Sequence, residues 1–155
     1  GTIASNLRYG DRNADESKLK EAATVAQAIG FIDENPEGFE SEIAQAGSNV
    51  SGGQKQRLSI ARALVKKPPI YIFDDSFSAL DFKTDAALRR ALKDYTGDST
   101  VLIVAQRVGT IMDADQILVL DEGKIVGRGT HKELLHTCRT YYEIASSQFS
   151  KEELA

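Results

Sequence analysis

The sequence predicts an α/β protein in which a helical first part precedes a part that contains a parallel sheet. Two short runs, residues 70–73 and 101–105, are apolar without interruption, which is typical of strands buried on both faces of such a sheet. Between these runs, apolar side chains recur at the helical spacing of three to four residues. They are Leu88, Ala91, Leu92 and Tyr95. Strand, helix and strand in this order predict two parallel strands joined by a right-handed crossover.

The composition indicates one globular domain and excludes several classes of protein. The 155 residues carry a net charge of −4, and 41% of them are hydrophobic, which is too many for a disordered chain. An acidic balance argues against a general nucleic-acid-binding protein. The apolar runs are strand-sized, far short of the roughly 20 residues of a membrane span. A single cysteine, Cys138, excludes an intramolecular disulfide framework and fits a reducing compartment.

The first part, residues 1–67, is predicted to hold two helices and their loops. Asn13 and Glu16 fit a capping box, so we expect a helix to begin there and to end at Gly30. A second helix is predicted to begin after Ser51 and to end near Val65, before two prolines. Arg57 falls on the apolar face of that helix, and we expect its guanidinium to be hydrogen-bonded.

The second part, residues 68–155, continues with shorter elements. Asp81 is placed to cap the helix between the two strands. Residues 117–120 and 124–126 flank an Asp-Glu-Gly turn, which predicts a β-hairpin. Two short helices are expected near residues 132–135 and 141–147.

Two motifs carry chemistry. In the first, Ser51, Gly52, Gly53 and Gln54 open a helix, where exposed amides and the helix dipole favour a phosphate group. The same four residues also fit an ordinary helix cap with a flexible Gly-Gly turn, and alone they do not separate the two interpretations.

In the second motif, Asp74 and Asp75 follow the strand over residues 70–73. Ligands of open α/β sheets bind beyond the carboxyl ends of the strands. A carboxylate there can hold Mg²⁺, and its neighbour can orient an attacking water. Two acidic residues solvated at the edge of a loop are the alternative.

Together and in this order, the motifs resemble the nucleotide-binding domains of ATP-binding cassette (ABC) transporters. Residues 51–54 resemble the signature segment of the family, and residues 70–74 resemble its Walker B strand. Ser78, Ala79, Leu80 and Asp81 resemble the D-loop, and Gln106 follows a strand similar to the one that leads to the switch loop. Residues 1–10 and 129–135 are similar to the exporter branch, so the resemblance covers nearly the whole chain.

The resemblance implies a RecA-like ATPase core with an α-helical subdomain, and ATP sandwiched between two such domains. Residues 51–54 would contact the ATP of the partner domain, and the D-loop would cross the interface. Asp74 would bind Mg²⁺. The segment from Glu42 to Gln45 lies where exporters contact their transmembrane domains. The boundary near residue 67 would divide the helical subdomain from the later part of the core.

Three departures from the family pattern stand out. The 155 residues contain no Gly-x-x-x-x-Gly-Lys-Ser/Thr, the P-loop that cradles phosphates. We therefore interpret the chain as the C-terminal half of the domain, without the P-loop half, and expect little or no ATP binding by it alone. Asp75 stands where the family has the catalytic Glu, and Gln106 stands where it has His. Asp is one methylene shorter, and a misplacement of about 1 Å costs on the order of 100-fold in rate.

These changes indicate a catalytically degenerate site, as in the heterodimeric multidrug exporters of the family. We expect ATPase activity only in the parent transporter, at the cytoplasmic face of the cell membrane, with a different ABC domain as partner and no nucleic acid. One alternative is a site that still turns over slowly. Another is a non-hydrolysing regulatory module that only completes a partner's ATPase site, and a third is a soluble cassette ATPase that acts on DNA or ribosomes.

Overall fold

A computed structural model describes residues 1–150 of the chain. Within these residues there are eight α-helices, two 3₁₀ turns and four strands. The helices are α1 (Ile3–Leu7), α2 (Glu16–Val25), α3 (Ile29–Asp33), α4 (Gly52–Val65), α5 (Phe82–Thr96), α6 (Val108–Ile111), α7 (His131–Thr137) and α8 (Arg139–Gln148). The 3₁₀ turns are Gly38–Glu40 and Gln45–Gly47, and the strands are β1 (Ile70–Asp74), β2 (Thr100–Val104), β3 (Ile117–Asp121) and β4 (Lys124–Gly129).

The chain divides into a first unit, Gly1–Val104, and a second unit, Ala105–Ala155. Each unit has its own cluster of buried apolar residues. The predicted division near residue 67 concerns subdomains of the family fold rather than this partition, and it stays a prediction.

Helix α4 is the centre of the first unit, since α1 and α2 both pack against it. Its buried face is the one that the sequence predicted, and it consists of Leu58, Ile60, Ala61, Leu64 and Val65. Burying a large aliphatic side chain stabilises the fold by about 1.5–3 kcal/mol. This face therefore fixes α4, and with it the position of the residues at its first turn.

Both predicted ends of the first long helix are wrong. Helix α2 is capped by Asp15, whose carboxylate accepts a hydrogen bond from the amide of Lys18 at 2.9 Å, and not by Asn13. Asp15 stands directly before the first turn, where its short side chain reaches that amide. The helix ends early because Gln27 adopts φ +56° and turns the chain. Gly30 accordingly lies inside α3.

Strands β1 and β2 are parallel, as predicted, and α5 connects them. The expectation that these strands are buried on both faces, however, is wrong for residues 1–150. Tyr71 and Phe73 are buried, whereas Ile70 and Ile72 are 58% and 66% exposed. The alternation arises because the described residues cover only the face that carries the two aromatic rings. Helix α5 is capped by Asp81, as predicted.

The second unit contains the predicted hairpin and the two predicted terminal helices. Strands β3 and β4 are antiparallel and are joined by Glu122 and Gly123, both with positive φ. Positive φ at both loop residues is the pattern of tight type I′ hairpins. Packing also requires a glycine at position 127, since a Cβ there would lie 2.7 Å from Sγ of Cys138.

Candidate functional site

The signature segment, residues 51–54, forms the exposed start of α4. Ser51 is the N-cap, and its hydroxyl oxygen accepts a hydrogen bond from the Gln54 amide at 3.2 Å. The Gln54 side-chain oxygen in turn accepts from the Ser51 amide at 2.8 Å, which completes a capping box. First-turn amides have no acceptor within their own helix. Gly52 and Gly53 thus carry amides suited to an anion, and the Ser51 hydroxyl still has a hydrogen to donate.

The D-loop, residues 78–81, packs directly on this helix start. A Cβ on Gly53 would lie 3.1 Å from the carbonyl oxygen of Ala79, and one on Gly52 would lie 3.7 Å from the Cβ of Ala79. The first of these distances is shorter than most contacts of real Cβ atoms, so a larger residue at position 53 would push the Ala79 backbone away by a few tenths of an ångström. The structure thus brings together two motifs that are about 25 residues apart in the sequence.

Asp74 and Asp75 lie at the carboxyl end of β1, as predicted, and both are exposed. The amide of Asp75 donates to the carbonyl of Val104 at 3.0 Å, which ties this position to β2. Asp75 adopts φ +46°. Among residues other than glycine, Asp and Asn tolerate this left-handed conformation best.

Gln56, one turn into α4, is a functional candidate that sequence reasoning missed. Its side-chain nitrogen donates to the carbonyl of Asp75 at 3.1 Å and to the hydroxyl of Ser78 at 3.0 Å. Its side-chain oxygen accepts from the amide of Ala79 at 2.9 Å. The only hint in the sequence is a neutral amide between two charged neighbours, which reveals no partner so far along the chain.

Asp81 and Arg57 have structural partners of their own. Asp81 accepts hydrogen bonds from the amide and the hydroxyl of Thr84, and these bonds lower the pKa of its carboxyl. Arg57 donates to the carbonyls of Gly53 and Gln27, as the sequence predicted for a buried guanidinium. Burial lowers the pKa of Arg57, and the negative charge of Asp81 opposes that shift.

The segment between Glu42 and Gln45 is held by the side chain of Asn49. Asn49 accepts a hydrogen bond from the amide of Ala44 at 3.0 Å and donates to the carbonyl of Glu42 at 2.7 Å. Glu42 and Gln45 are exposed. Asn49 precedes Ser51 by two residues, so the residue that holds the exposed segment lies close in sequence to the residue that caps α4.

Gln106, in the second unit, is exposed, and its backbone is held by Gln148 of α8. The side-chain nitrogen of Gln148 donates to the Gln106 carbonyl at 2.8 Å, and its oxygen accepts from the Val108 amide at 2.8 Å. Gln148 was not identified from the sequence, because nothing near it in the chain indicates a partner about forty residues away.

The donor set at β1 fits a magnesium ion that is bound together with a nucleotide. Residues 1–150 contain no group of three or more His, Cys, Asp or Glu side chains that are arranged for a metal. Mg²⁺ is usually held by one or two carboxylates together with phosphate oxygens and water. The exposed carboxylate of Asp74 at the end of a strand meets that requirement. Over the same residues, no helix combines the length and the apolar character needed to cross a membrane.

Comparison with known proteins identifies the family. The ABC transporter family profile matches residues 2–78. An uncharacterized ABC transporter ATP-binding protein of Mycobacterium bovis is 50% identical over 96% of this chain and 26% of its own length. One of Bacillus subtilis is 46% identical over 98% of this chain and 26% of its own length. An ATP-dependent lipid A-core flippase of Xanthomonas axonopodis pv. citri is 42% identical over 99% of this chain and 26% of its own length.

A similar solved structure belongs to the same family as these relatives. A bacterial Atm1-family ABC exporter with ATP bound is 38% identical and superposes with a TM-score of 0.92, over 97% of this chain and 26% of that chain. The chain thus spans about a quarter of the length of the proteins that it matches. The fold class and the family predicted from the motifs are confirmed. The chain belongs to the ABC transporter family and forms part of an exporter-type ATP-binding domain.

Proposed function

We propose that this chain is part of the ATP-binding and ATP-hydrolysing domain of an exporter, and that its signature segment completes the ATP site of a second, different domain. The observation that carries the proposal is the exposed, fully capped start of α4 beside the D-loop. There the amides of Gly52 and Gly53 and the hydroxyl of Ser51 are suited to donate to phosphate oxygens of the partner's ATP.

The site on the chain's own side would be catalytically poor. Asp74 would hold Mg²⁺, which when bound supplies positive charge to the phosphate oxygens. Asp75 stands in the position of the general base, but its carboxylate is one methylene short. Gln106 can donate a hydrogen bond to a terminal phosphate, yet a side-chain amide cannot carry a proton or a positive charge at neutral pH. Hydrolysis would accordingly be concentrated at the partner's site.

The remaining partners follow from the same assignment. The exposed segment from Glu42 to Gln45 would contact the transmembrane domains. Through this contact, closure of the two ATP-binding domains would drive movement of the transmembrane domains. The domain would then lie at the cytoplasmic face of a membrane. The flippase and the exporter among the similar proteins support transport as the activity of the parent protein.

The test restores the family residues at the poor site. In the full-length transporter with its partner, Asp75→Glu and Gln106→His together should raise turnover at this site by about 10- to 100-fold. Single-turnover hydrolysis, with the partner's catalytic carboxylate replaced, isolates this site. No gain in the double variant would contradict the assignment of Asp75 and Gln106.

A complementary variant tests the action in trans. Gly53→Asp places a carboxylate where phosphate would bind and should reduce hydrolysis at the partner's site by about 100-fold or more. Ser59→Ala, at an exposed position six residues further along α4, is the matched control and should leave the rate unchanged. A large loss with Gly53→Asp and no gain at the altered site would favour the regulatory module that only completes the partner's site.

A further inference from the structure

We propose that Gln56 is a positioning residue that couples the signature segment to the loop that carries Asp75, so that the two ATP sites respond to each other through one side chain. The inference rests on the proposed function, which assigns residues 51–54 and Asp75 to different ATP sites. Gln56 itself contacts neither ATP. It would act by fixing the backbone on which the groups at both sites are carried.

The side-chain amide of Gln56 uses both its donor and its acceptor in hydrogen bonds with one loop. Its nitrogen donates to the Asp75 carbonyl and the Ser78 hydroxyl, and its oxygen accepts from the Ala79 amide, all within 2.9–3.1 Å. The Ser78 hydroxyl also donates to the Asp75 carbonyl at 3.1 Å. A side-chain amide has two N–H donors and one carbonyl acceptor. Only Gln has both functions at this reach, so Glu would lose the two donated bonds and Met or Leu would lose all three.

The backbone of Asp75 is held by hydrogen bonds on both sides of the residue. Its amide is held by the carbonyl of Val104 at 3.0 Å, and its carbonyl is held by Gln56 at 3.1 Å. Between these two bonds the residue adopts φ +46°. A non-glycine residue stays in this sparsely populated region only when its surroundings hold it there. Because the backbone sets the direction of the side chain, loss of the Gln56 bond would leave the Asp75 carbonyl with the Ser78 hydroxyl alone and would loosen the Asp75 carboxylate.

Ala79 packs closely against the first turn of α4. A Cβ at Gly53 would lie 3.1 Å from the Ala79 carbonyl oxygen and one at Gly52 would lie 3.7 Å from the Ala79 Cβ, so the backbones of the two segments approach closely. Gln56 lies on the next turn of the same helix and bonds the same Ala79. Helix α4 is therefore connected to the D-loop by close backbone packing and by the hydrogen bonds of Gln56 with Ser78 and Ala79.

The first experiment measures this attachment without ATP. In the full-length transporter with its other cysteines replaced, Gly52→Cys and Ala79→Cys place two Cβ atoms 3.7 Å apart, within the usual range of a disulfide. We expect the disulfide to form rapidly under mild oxidant, and at least about tenfold more slowly when Gln56→Leu removes the three hydrogen bonds of the side chain. An unchanged rate would overturn the proposal. Ser59→Ala in the same background is the matched control.

The second experiment measures coupling of the two ATP sites in the transporter with the native signature segment. Gln56→Leu should lower kcat at the partner's site about tenfold while changing the KM for ATP less than about threefold, because the residue positions groups and binds no nucleotide. Gln56→Glu keeps the acceptor for the Ala79 amide and should retain part of the rate. A rise in KM as large as the fall in kcat, or an unchanged kcat, would contradict a positioning role.

A double-mutant cycle separates failure of this inference from failure of the proposed function. Asp75→Glu with Gln106→His raises turnover at the altered site if the proposed function holds. Adding Gln56→Leu should cancel most of that gain, so the combined effect should depart from the product of the separate effects by at least about fivefold. A gain that Gln56→Leu leaves intact overturns the coupling alone. The absence of any gain refutes the proposed function and the inference with it.

Discussion

Helix α4 and the parallel strands β1 and β2 belong to the same unit but use their apolar residues in opposite ways. Every large aliphatic side chain of α4 is buried. In the strands, four large aliphatic side chains are at least half exposed, and they are Ile70, Ile72, Leu102 and Val104. The apolar face of α4 is therefore fully covered by residues 1–150, whereas these residues leave one apolar face of the strands uncovered. Exposed apolar faces of this kind promote association.

The largest expected effect tests the packing of α4. Leu64 is fully buried, so Leu64→Ala should lower the free energy of unfolding by about 2–5 kcal/mol. Ile72 is 66% exposed, and Ile72→Ala should change it by less than about 0.5 kcal/mol. Urea titration followed by circular dichroism measures both, and comparable losses would show that the two regions do not differ in the 155-residue chain.

The next effect concerns association through the strand face. Ile72 and Leu102 are register neighbours on β1 and β2, and both are exposed. Replacing both by Thr should weaken self-association of the 155-residue chain by about tenfold or more, because it removes apolar surface and keeps β propensity. Sedimentation velocity over a range of concentrations measures this. Ile125→Thr, on an exposed strand position of the second unit, is the control and should have a smaller effect.

A smaller effect is expected at the start of α4, where the stabilising contacts are the local hydrogen bonds of the helix cap. Ser51→Ala removes the acceptor for the Gln54 amide and should cost about 0.5–2 kcal/mol in the free energy of unfolding. Thr130→Ala, which removes the equivalent cap of α7 in the second unit, should cost a similar amount. If Ser51→Ala were neutral while Thr130→Ala was not, the capping box would contribute nothing to the stability of α4.

The smallest effect is the dependence on pH. The Thr84 amide, and after it the Thr84 hydroxyl, lowers the pKa of the Asp81 carboxyl below its ordinary value of 3.8. A carboxyl with a lowered folded-state pKa contributes stability above its unfolded value, and that contribution is lost as the pH falls through the folded-state pKa. Asn caps helices well, so Asp81→Asn should keep the cap and show a slightly smaller loss of stability below pH 3.8. Unfolding titrations at neutral and acidic pH compare the two proteins, and identical acid sensitivity would contradict this prediction.

Patterns within short stretches of sequence determined most of the secondary structure. The burial of α4 follows from its helical periodicity, and the cap at Asp81 and the hairpin turn follow from the residues at those positions. The errors at α2 have local causes as well. Asp15 competes with Asn13 as the cap, and Gln27 enters a left-handed conformation that few residues other than glycine adopt, so no pattern announced the end of the helix.

The sequence by itself determined the family, the order of the motifs and the residues that we propose for the two ATP sites, because each motif is a contiguous run whose chemistry depends on spacing. Only the tertiary structure decided which motifs touch. Gln56 bonds the D-loop about twenty residues away, and Gln148 bonds Gln106 about forty residues away. Such contacts depend on the path of the backbone between the partners. The tertiary structure also decided that one face of β1 is exposed. A run of apolar residues favours burial, but the elements that pack against the strand determine which of its faces is covered.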